Sequence, residues 1–388
     1  MKILMVLESA FPPDTRVENE IQQILELGYD ITIASLNFSN KPHHEVINGL
    51  QVIRKDISKI VYKTSVGSLK FPFYFNFWKK YLRELIESND YDVLHIHDLP
   101  LVEVGLQMRK EFGIKVLMDL HENWPALIAD AAHTNTFMGK LLSSKKQWRE
   151  YEKKSLLKVD SIITVVEEMK NRILLHGIDK DKVFVVPNVL NISTFPNGKV
   201  DIEEGISLFY GGGLTHHRGL QVVIKGMSLL NSKYKNIKLI IVGYGSYRGE
   251  LENLVKDLDL TTSVEFLGRM TQKNLLIEMK KCTIALIPHL KSIQTDNSSP
   301  NKLFQYMYAE KPVLSSDCDS LRRVIEGSNV GVLYSDKDPK DFSEKLEFLL
   351  QSNQNNIFGT NGKKAVLEKY NWSENKNVLK EAYDKAIL

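Results

Sequence analysis

The sequence has few cysteines and no large excess of positive charge. Only two of its 388 residues are cysteine, Cys282 and Cys318, which excludes a disulfide framework and a four-cysteine metal site. Two reduced cysteines are typical of a cytoplasmic protein. Lysine and arginine number 51 against 48 aspartate and glutamate, so the charge balance gives no case for a dedicated nucleic-acid binder. We therefore expect no nucleic-acid partner.

Long hydrophobic runs are missing as well. The longest strongly apolar stretch, residues 71–78, is interrupted by Pro72 and Asn76 and is too short to cross a bilayer. The first nine residues, MKILMVLES, are too short and too soon acidic for a signal peptide, and they fit a buried parallel strand instead. These absences predict a cytoplasmic location.

The composition, 43% hydrophobic and 26% charged, is that of a globular protein, and the length suits about two to three domains. Short apolar runs alternate with longer segments of helical periodicity, which predicts an α/β protein with parallel sheets covered on both faces. Two doubly wound sheets of about six strands are favoured over one sheet of about a dozen. The predicted strands are 2–7, 31–35, 93–97, 115–119, 161–165, 183–186, 206–210, 238–242, 264–267, 283–287, 312–315 and 331–333.

The strand and helix rhythm lapses once, in a polar, turn-rich stretch between Pro187 and Gly205. This predicts an N-terminal domain over 1–187, a linker over 188–205 and a C-terminal domain over 206–372, with a final helix, 373–388, packing back on the first domain. Ligands of open α/β sheets bind outside the carboxyl ends of the strands. The residues that directly follow predicted strands are therefore the candidates for function.

Two such segments lie in the second domain. The turn YGGGLTHHRG follows the strand 206–210, and its glycines allow a backbone to approach a phosphate that Arg218 can also bind. The second segment is the loop that enters a helix near Pro300, where free main-chain N–H groups and Lys302 can hold an anionic group. A plain glycine turn and a capped core helix are the structural alternatives. The candidate ligand-binding residues of these two segments are Gly212, Gly213, Arg218, Asn297, Ser299, Pro300, Asn301, Lys302 and Gln305.

Taken together, these segments resemble a known family. GGL-x-x-x-RG at 212–219, SPNKLFQYM at 299–307, VPNV at 186–189 and VGYGSY at 242–247 look like motifs of the family 4 glycosyltransferases, which have the GT-B fold. FPPDTRV at 11–17 and DLHE at 119–122 resemble the bacterial polysaccharide-type subgroup. The resemblance implies two Rossmann-like domains facing a central cleft, with a nucleotide sugar bound by the second domain.

The sequence departs from the family pattern at several donor positions. Gly213 stands where the family has an arginine beside the donor diphosphate, and Arg218 stands where it has a lysine. Asn297 and Gln305 replace a pair of glutamates that bind the donor sugar and the ribose, and an amide lacks the charge-assisted part of such a bond. Arg269, together with Met270, matches the turn beside the nucleotide base.

On the acceptor side, His121 resembles the family histidine near the donor sugar, where it could orient a group or relay a proton. Its neighbour Glu122, together with His97, Asp98 and Arg16, completes the predicted acceptor-side set. Histidines 95 and 97 share a strand face and could be imagined as metal ligands. The resembled family works without a metal, so we expect no metal site. The resemblance implies His121, Arg218 and Lys302 as the catalytic residues.

The resemblance implies a retaining, metal-independent glycosyltransferase with no cofactor, a UDP-sugar donor in preference to a GDP-sugar, and a glycan or lipid-linked acceptor. Two segments, 69–81 with its aromatics and lysines and the basic stretch 139–158, could contact an anionic membrane; a core helix and a solvated helix are their alternatives. A nucleotide-sugar 2-epimerase on the same fold and a non-catalytic glycosyltransferase subunit remain open as other functions.

Overall fold

The computed structural model describes residues 1–130, 142–196, 198, 200, 205–234 and 236–388. The chain divides into two compact units. The first consists of Met1–Pro187 with the terminal segment Trp372–Leu388, and the second of Asn188–Asn371. Each unit is an α/β structure built on one sheet, as the strand and helix alternation predicts.

The first unit is built on an eight-stranded sheet of order β3-β4-β2-β1-β5-β6-β7-β8, in which only β3 runs antiparallel to its neighbour among the described strands. The strands β5 and β7 are buried at every residue, because helices cover both faces of a parallel sheet. The bounds are β1 Lys2–Val6, β2 Asp30–Asn37, β3 His44–Ile47, β4 Leu50–Asp56, β5 Val93–His97, β6 Lys115–Leu120, β7 Ser161–Thr164 and β8 Val183–Val185.

The described helices of the first unit include the amphipathic α1, which is capped by Asp14 through hydrogen bonds to the N–H groups of Arg16 and Val17. The chain's last helix, α16, belongs to this unit: it packs on α1 and on β6 and β7 through buried residues such as Leu379 and Tyr383. The bounds are α1 Thr15–Glu26, α2 Lys59–Lys63, α3 Phe73–Glu87, α4 Val102–Phe112, α5 Trp124–Asp130, α6 Lys145–Leu156, α7 Glu167–Leu174 and α16 Trp372–Ile387.

The second unit is a six-stranded, all-parallel sheet of order β11-β10-β9-β12-β13-β14. Numbered along the chain from β9, this is the strand order 3-2-1-4-5-6 of dinucleotide-binding folds. Its strands are β9 Ile206–Gly211, β10 Ile237–Val242, β11 Val264–Gly268, β12 Ile284–Ile287, β13 Val313–Ser316 and β14 Gly331–Tyr334. Its helices are α8 Leu220–Leu230, α9 Arg248–Asp257, α10 Gln272–Lys281, α11 Ile293–Asp296, α12 Lys302–Tyr308, α13 Asp319–Ser328, α14 Pro339–Gln351 and α15 Asn355–Glu368.

The first sheet is larger than predicted because it carries the hairpin of β3 and β4, which the strand prediction omitted. Its turn is Asn48-Gly49, with positive φ at both residues, the backbone that Asn-Gly favours in two-residue hairpins. The strand β3 lies at the sheet edge and is nowhere buried, so its residues lack the apolar run by which the inner strands were recognised.

The segment predicted as a linker begins as part of the second unit. Val189, Leu190 and Phe195 are buried, Leu190 forms a β-bridge with Asn371, and the ring of Phe195 packs edge-on against Tyr308. Residues 197, 199 and 201–204 of this predicted linker lie outside the described residues. Its first part is therefore anchored by apolar contacts within the second unit.

The aromatic segment 69–81 is divided between core and surface. Tyr74, Trp78 and Tyr81 on α3 are buried, whereas Phe71 and Phe73 are 47% and 59% exposed. The basic stretch 139–158 is described from residue 142 onward, and residues 139–141 lie outside the described residues. In the part of the chain that the structure describes, no helix is both long enough and apolar enough to span a membrane.

Candidate active site

The second unit has a topological switch point between β9 and β12. These strands are neighbours in the sheet, but the chain leaves β9 toward β10 on one side and leaves β12 toward β13 on the other. The carboxyl edge at such a switch point is where open α/β sheets bind ligands. The predicted glycine turn follows β9, and the loop into α12 comes after β12.

The glycine turn lies against the end of the Lys302 side chain, and the backbone of Gly212 has a positive φ that disfavours a side chain there. A Cβ atom on Gly212 would lie 2.6 Å from Lys302 Nζ, and φ of Gly212 is +150°. The Tyr210 hydroxyl donates a hydrogen bond of 2.8 Å to the Gly213 carbonyl and holds the turn over the end of β9. The glycine turn and the start of α12, about 90 residues apart in the sequence, are thus in contact.

Lys302 is the first residue of α12, and its ammonium lies 4.2 Å from the centre of the Tyr210 ring. Burial, together with the positive charge of Arg218, holds the pKa of Lys302 well below its usual range. An anion bound beside both cations would remove this repulsion. The arrangement is therefore suited to a diphosphate.

Arg218 is half-buried in the short 3₁₀ turn after the glycines. Its Nη1 donates a hydrogen bond of 2.9 Å to Nε2 of His289, a buried residue just after β12. His289 is absent from the predicted site because a single histidine after a strand carries no motif. The sequence could have indicated His289 only through its position after the apolar run of β12, a central strand.

The other predicted donor residues are placed as follows. Asn297 is buried and its Nδ2 donates to the Ile293 carbonyl, closing the turn of α11, while its Oδ1 has no hydrogen-bond partner among the described residues. Arg269 is exposed just after β11, where it lies over the Tyr244 ring at 5.3 Å from its centre. Gln305 is buried in α12, and the residues half-buried are Met270, Ser299, Pro300 and Asn301.

The first unit contains a buried ionic network at the carboxyl ends of β5 and β6. The Arg16 guanidinium binds the Asp119 carboxylate in a fork, with Nη2 at 3.1 and 3.0 Å from its two oxygens. Nη2 also lies 2.8 Å from Glu20 Oε1, and Nη1 donates to the Val186 carbonyl at 3.0 Å. Because Arg16 is only 6% exposed and so fully engaged, its geometry favours a positioning role over direct contact with a ligand.

His121 lies at the open end of this network. Its Nε2 is 3.0 Å from Asp119 Oδ2 and 3.0 Å from His97 Nδ1. Burial by itself would lower the pKa of His121, but the carboxylates of Asp119 and Asp98 raise it to about 9. Burial would likewise raise the pKa of Asp119, and Arg16 with His121 holds it well below its usual range. The pair is an imidazolium and a carboxylate at neutral pH.

Two further acidic groups lie beside the switch point of the first sheet, between β1 and β5. Asp98 has φ +67° and ψ 150°, a backbone that costs about 1–3 kcal/mol in a non-glycine residue and that is concentrated at functional sites. Glu8, which follows β1 and was not predicted, has its pKa raised to about 8 by burial and by Asp98, against a hydrogen bond with Tyr74. Glu122, the residue after His121, is exposed to solvent.

Four of these first-unit side chains could in principle hold a metal ion. Ligand atoms of Glu20, His95, His97 and Asp119 lie within 4.8 Å of one another. The guanidinium of Arg16, however, already contacts both carboxylates, so a cation of the protein stands where a metal would have to bind. The donor set therefore fits an internal ion pair better than a metal centre.

Comparisons with known proteins bear on the whole chain. A family model described as Glycosyltransferase Family 4 matches residues 14–194, and one described as Glycosyl transferases group 1 matches residues 195–365. The chain belongs to the family 4 glycosyltransferases. The family predicted from the motifs is confirmed.

Relatives cover nearly the full length of the chain. The phosphatidyl-myo-inositol mannosyltransferase of Mycolicibacterium smegmatis is 22% identical over 387 residues, covering 96% of this chain and 91% of that protein. An uncharacterized glycosyltransferase of Methanocaldococcus jannaschii is 23% identical over 377 residues, covering 91% and 88%.

Solved structures establish the fold. Sucrose-phosphate synthase of Thermosynechococcus elongatus superposes with a TM-score of 0.78 at 17% identity, covering 99% of this chain and 98% of that one. An Anabaena protein solved in complex with UDP superposes with a TM-score of 0.71 at 12% identity, covering 99% and 100%. The fold of this glycosyltransferase is GT-B, as the sequence predicted.

Proposed function

We propose that this glycosyltransferase is a retaining, metal-independent enzyme that moves a hexosyl or N-acetylhexosaminyl group from a nucleotide sugar to a hydroxyl of a lipid-linked glycan, in cell-surface polysaccharide synthesis. UDP-sugars are favoured over GDP-sugars as donors, and no cofactor takes part. The proposal is carried by one observation: Arg218 and Lys302, two cations, flank a glycine turn at the switch point of the second sheet.

The proposed role of the two cations is to stabilise the charge that develops on the leaving diphosphate. When the bond between the anomeric carbon and the diphosphate oxygen breaks, negative charge grows on the leaving diphosphate, and fixed cations stabilise it most at that moment. Arg218 and Lys302 supply those cations, so a metal ion is not needed for this part. The acceptor oxygen bonds to the anomeric carbon on the face that the diphosphate leaves, and the hydroxyl proton passes to the departing diphosphate.

The first unit is proposed to present the acceptor, with His121 as the catalytic residue on that side. As an imidazolium held by Asp119, His121 can donate a hydrogen bond to a sugar hydroxyl but cannot act as a base at neutral pH. Asp98 is placed to accept one. This division fits a mechanism in which the diphosphate, rather than a protein base, takes the proton.

A lipid-linked acceptor and peripheral contact with the inner face of the cell membrane are supported by two exposed rings, Phe71 and Phe73, at the start of α3, next to Lys70. One relative, the phosphatidyl-myo-inositol mannosyltransferase of Mycolicibacterium smegmatis, is named for a lipid acceptor. Sedimentation with vesicles containing phosphatidylglycerol tests this part: a protein that stays in the supernatant at low ionic strength contradicts it.

The central experiment is a donor panel. UDP- and GDP-sugars are titrated by calorimetry, and turnover is followed as release of nucleoside diphosphate with EDTA present. We expect saturable binding of one donor, and Arg218→Ala should weaken it about tenfold or more, since a hydrogen bond to a charged group contributes about 1.5–3 kcal/mol. Arg83→Ala is the control, because Arg83 pairs with Glu111 on the surface of the first unit.

The outcomes separate the alternatives. Conversion of a nucleotide sugar to its epimer without diphosphate release would assign a 2-epimerase. A folded protein that binds no donor would assign a non-catalytic subunit. An inverted anomeric centre in the product, read by NMR coupling constants, would contradict the retaining mechanism, and activity that EDTA abolishes would contradict metal independence.

A further inference from the structure

His289 connects the two loops that border the switch point of the second sheet. It follows β12, while its hydrogen-bond partner Arg218 follows β9, 71 residues earlier in the chain. Arginine has only N–H donors, so the His289 Nε2 that lies 2.9 Å from Arg218 Nη1 must be the acceptor. The imidazole is therefore neutral and carries its proton on Nδ1.

The backbone around His289 is held in place independently of this bond. The His289 carbonyl accepts hydrogen bonds from the hydroxyl of Ser316 and from the thiol of Cys318, 3.8 Å away. The next residue, Leu290, donates its N–H to the His217 carbonyl at 2.9 Å. With the ring only 2% exposed, the acceptor nitrogen has a fixed position toward which the guanidinium can be aligned.

The two loops are also in van der Waals contact. A Cβ atom on Gly219 would lie 1.6 Å from the Pro288 carbonyl oxygen, so the backbone after Arg218 touches the backbone before His289. The Arg218 side chain therefore leaves its backbone at a point fixed against the β12 loop, and the imidazole limits the directions it can take.

The neutral partner has an electrostatic consequence. Burial, together with the positive charges of Lys302 and Arg218 and with His217, keeps the pKa of His289 well below its usual range. The neutral imidazole accepts the hydrogen bond from Arg218 without offsetting the positive charge of the guanidinium. Arg16 shows the contrast, because its guanidinium is paired with the carboxylates of Asp119 and Glu20.

We infer that His289 is a positioning residue of the donor site: by accepting a hydrogen bond from Arg218 it aims the guanidinium at the donor diphosphate without neutralising it. The inference rests on the proposed function, and it assigns His289 no contact with the donor. It predicts that His289 acts only through Arg218.

A double-mutant cycle tests this role, with calorimetric binding of UDP and the donor KM as readouts. His289→Phe keeps a buried ring without an acceptor and should raise the Kd for UDP about tenfold, the weight of one hydrogen bond to a charged group. His289→Gln keeps an acceptor and should lose no more than about threefold. In an Arg218→Ala background, His289→Phe should change the Kd less than about twofold.

A second measurement does not depend on the donor. Nitrogen NMR of the imidazole in the wild type should show the tautomer with its proton on Nδ1 across neutral pH, and His289→Phe should retain the far-ultraviolet circular dichroism of the wild type. Additive losses in the Arg218→Ala background, an unchanged Kd in His289→Phe, or a charged imidazole would each overturn the inference. A wild type that binds no nucleoside diphosphate, by contrast, overturns the proposed function and the inference together.

Discussion

We expect the substitution Gly213→Arg, which adds a cation to the glycine turn, to strengthen donor binding. Gly213 stands at the position where the family resemblance expects an arginine, and no atom lies within 4 Å of a Cβ built there. Its backbone lies outside the left-handed region, and the residue is exposed. Gly213→Arg is therefore sterically permitted, unlike a substitution at Gly212, whose Cβ would meet Lys302.

The size of the gain follows from opposing contributions. A charge-assisted hydrogen bond to the diphosphate contributes about 1.5–3 kcal/mol. Ordering the arginine side chain costs about 1.5–2 kcal/mol. The midpoints of these two ranges leave a net gain of about 0.5 kcal/mol, which corresponds to a Kd about twofold lower, since 1.4 kcal/mol is a factor of ten. The repulsion among three cations in the free protein is relieved by the ligand and adds in the same direction.

The assay is calorimetric titration with UDP and with the donor found in the panel, at low and at high salt. Gly327→Arg is the matched control, because Gly327 is an exposed glycine of α13 with no atom within 4 Å of its Cβ position. A Kd for Gly213→Arg that is unchanged or higher, in a protein with wild-type stability, would refute the placement of the diphosphate at this turn. An equal gain in Gly327→Arg would show general charge attraction instead.

Two further predictions concern the network of the first unit. The pKa of His121 is raised to about 9 in the folded protein, above about 6.5 when unfolded, so its contribution to stability is complete below pH 6.5 and is lost as the pH rises through 9. Thermal unfolding between pH 6 and pH 10 should show this decline, and Asp119→Asn should flatten it; an equal decline in that variant would contradict the assignment. Arg16→Ala leaves a buried carboxylate without its partner and should lower the free energy of unfolding by about 3–5 kcal/mol in urea titrations, far more than Arg218→Ala. Equal losses in the two variants would contradict the structural role of Arg16.

The strands were predictable where they are buried on both sides. β1 and β12 were recognisable because helices on both faces of a parallel sheet select an apolar run, and the runs ILMV in β1 and IALI in β12 are visible in the sequence. The edge hairpin of β3 and β4 was not predicted, since a strand that is half solvated has no such run. The Asn48-Gly49 turn was its one readable signal.

The candidate site divides in a similar way. Gly212, Arg218 and Lys302 belong to motifs whose spacing is local, and the resemblance named them directly. His289 and Glu8 carry no motif and were missed, although both follow a strand beside a switch point. Arg16 was predicted to lie on the acceptor side. Only the structure shows that its guanidinium contacts the carboxylates of Asp119 and Glu20.

The sequence alone determined the family, the α/β class, most strands and the glycine and lysine motifs of the candidate site, because periodicity and motif spacing are local properties. The tertiary structure decided which distant residues meet. Arg16 and Asp119 are 103 residues apart, and Arg218 and His289 are 71 apart. Strand order brings both pairs together: β9 lies beside β12, which precedes His289, and β1 lies beside β5, which pairs with the β6 strand that carries Asp119. Strand order is set by how helices and sheet pack together, and no local pattern records it.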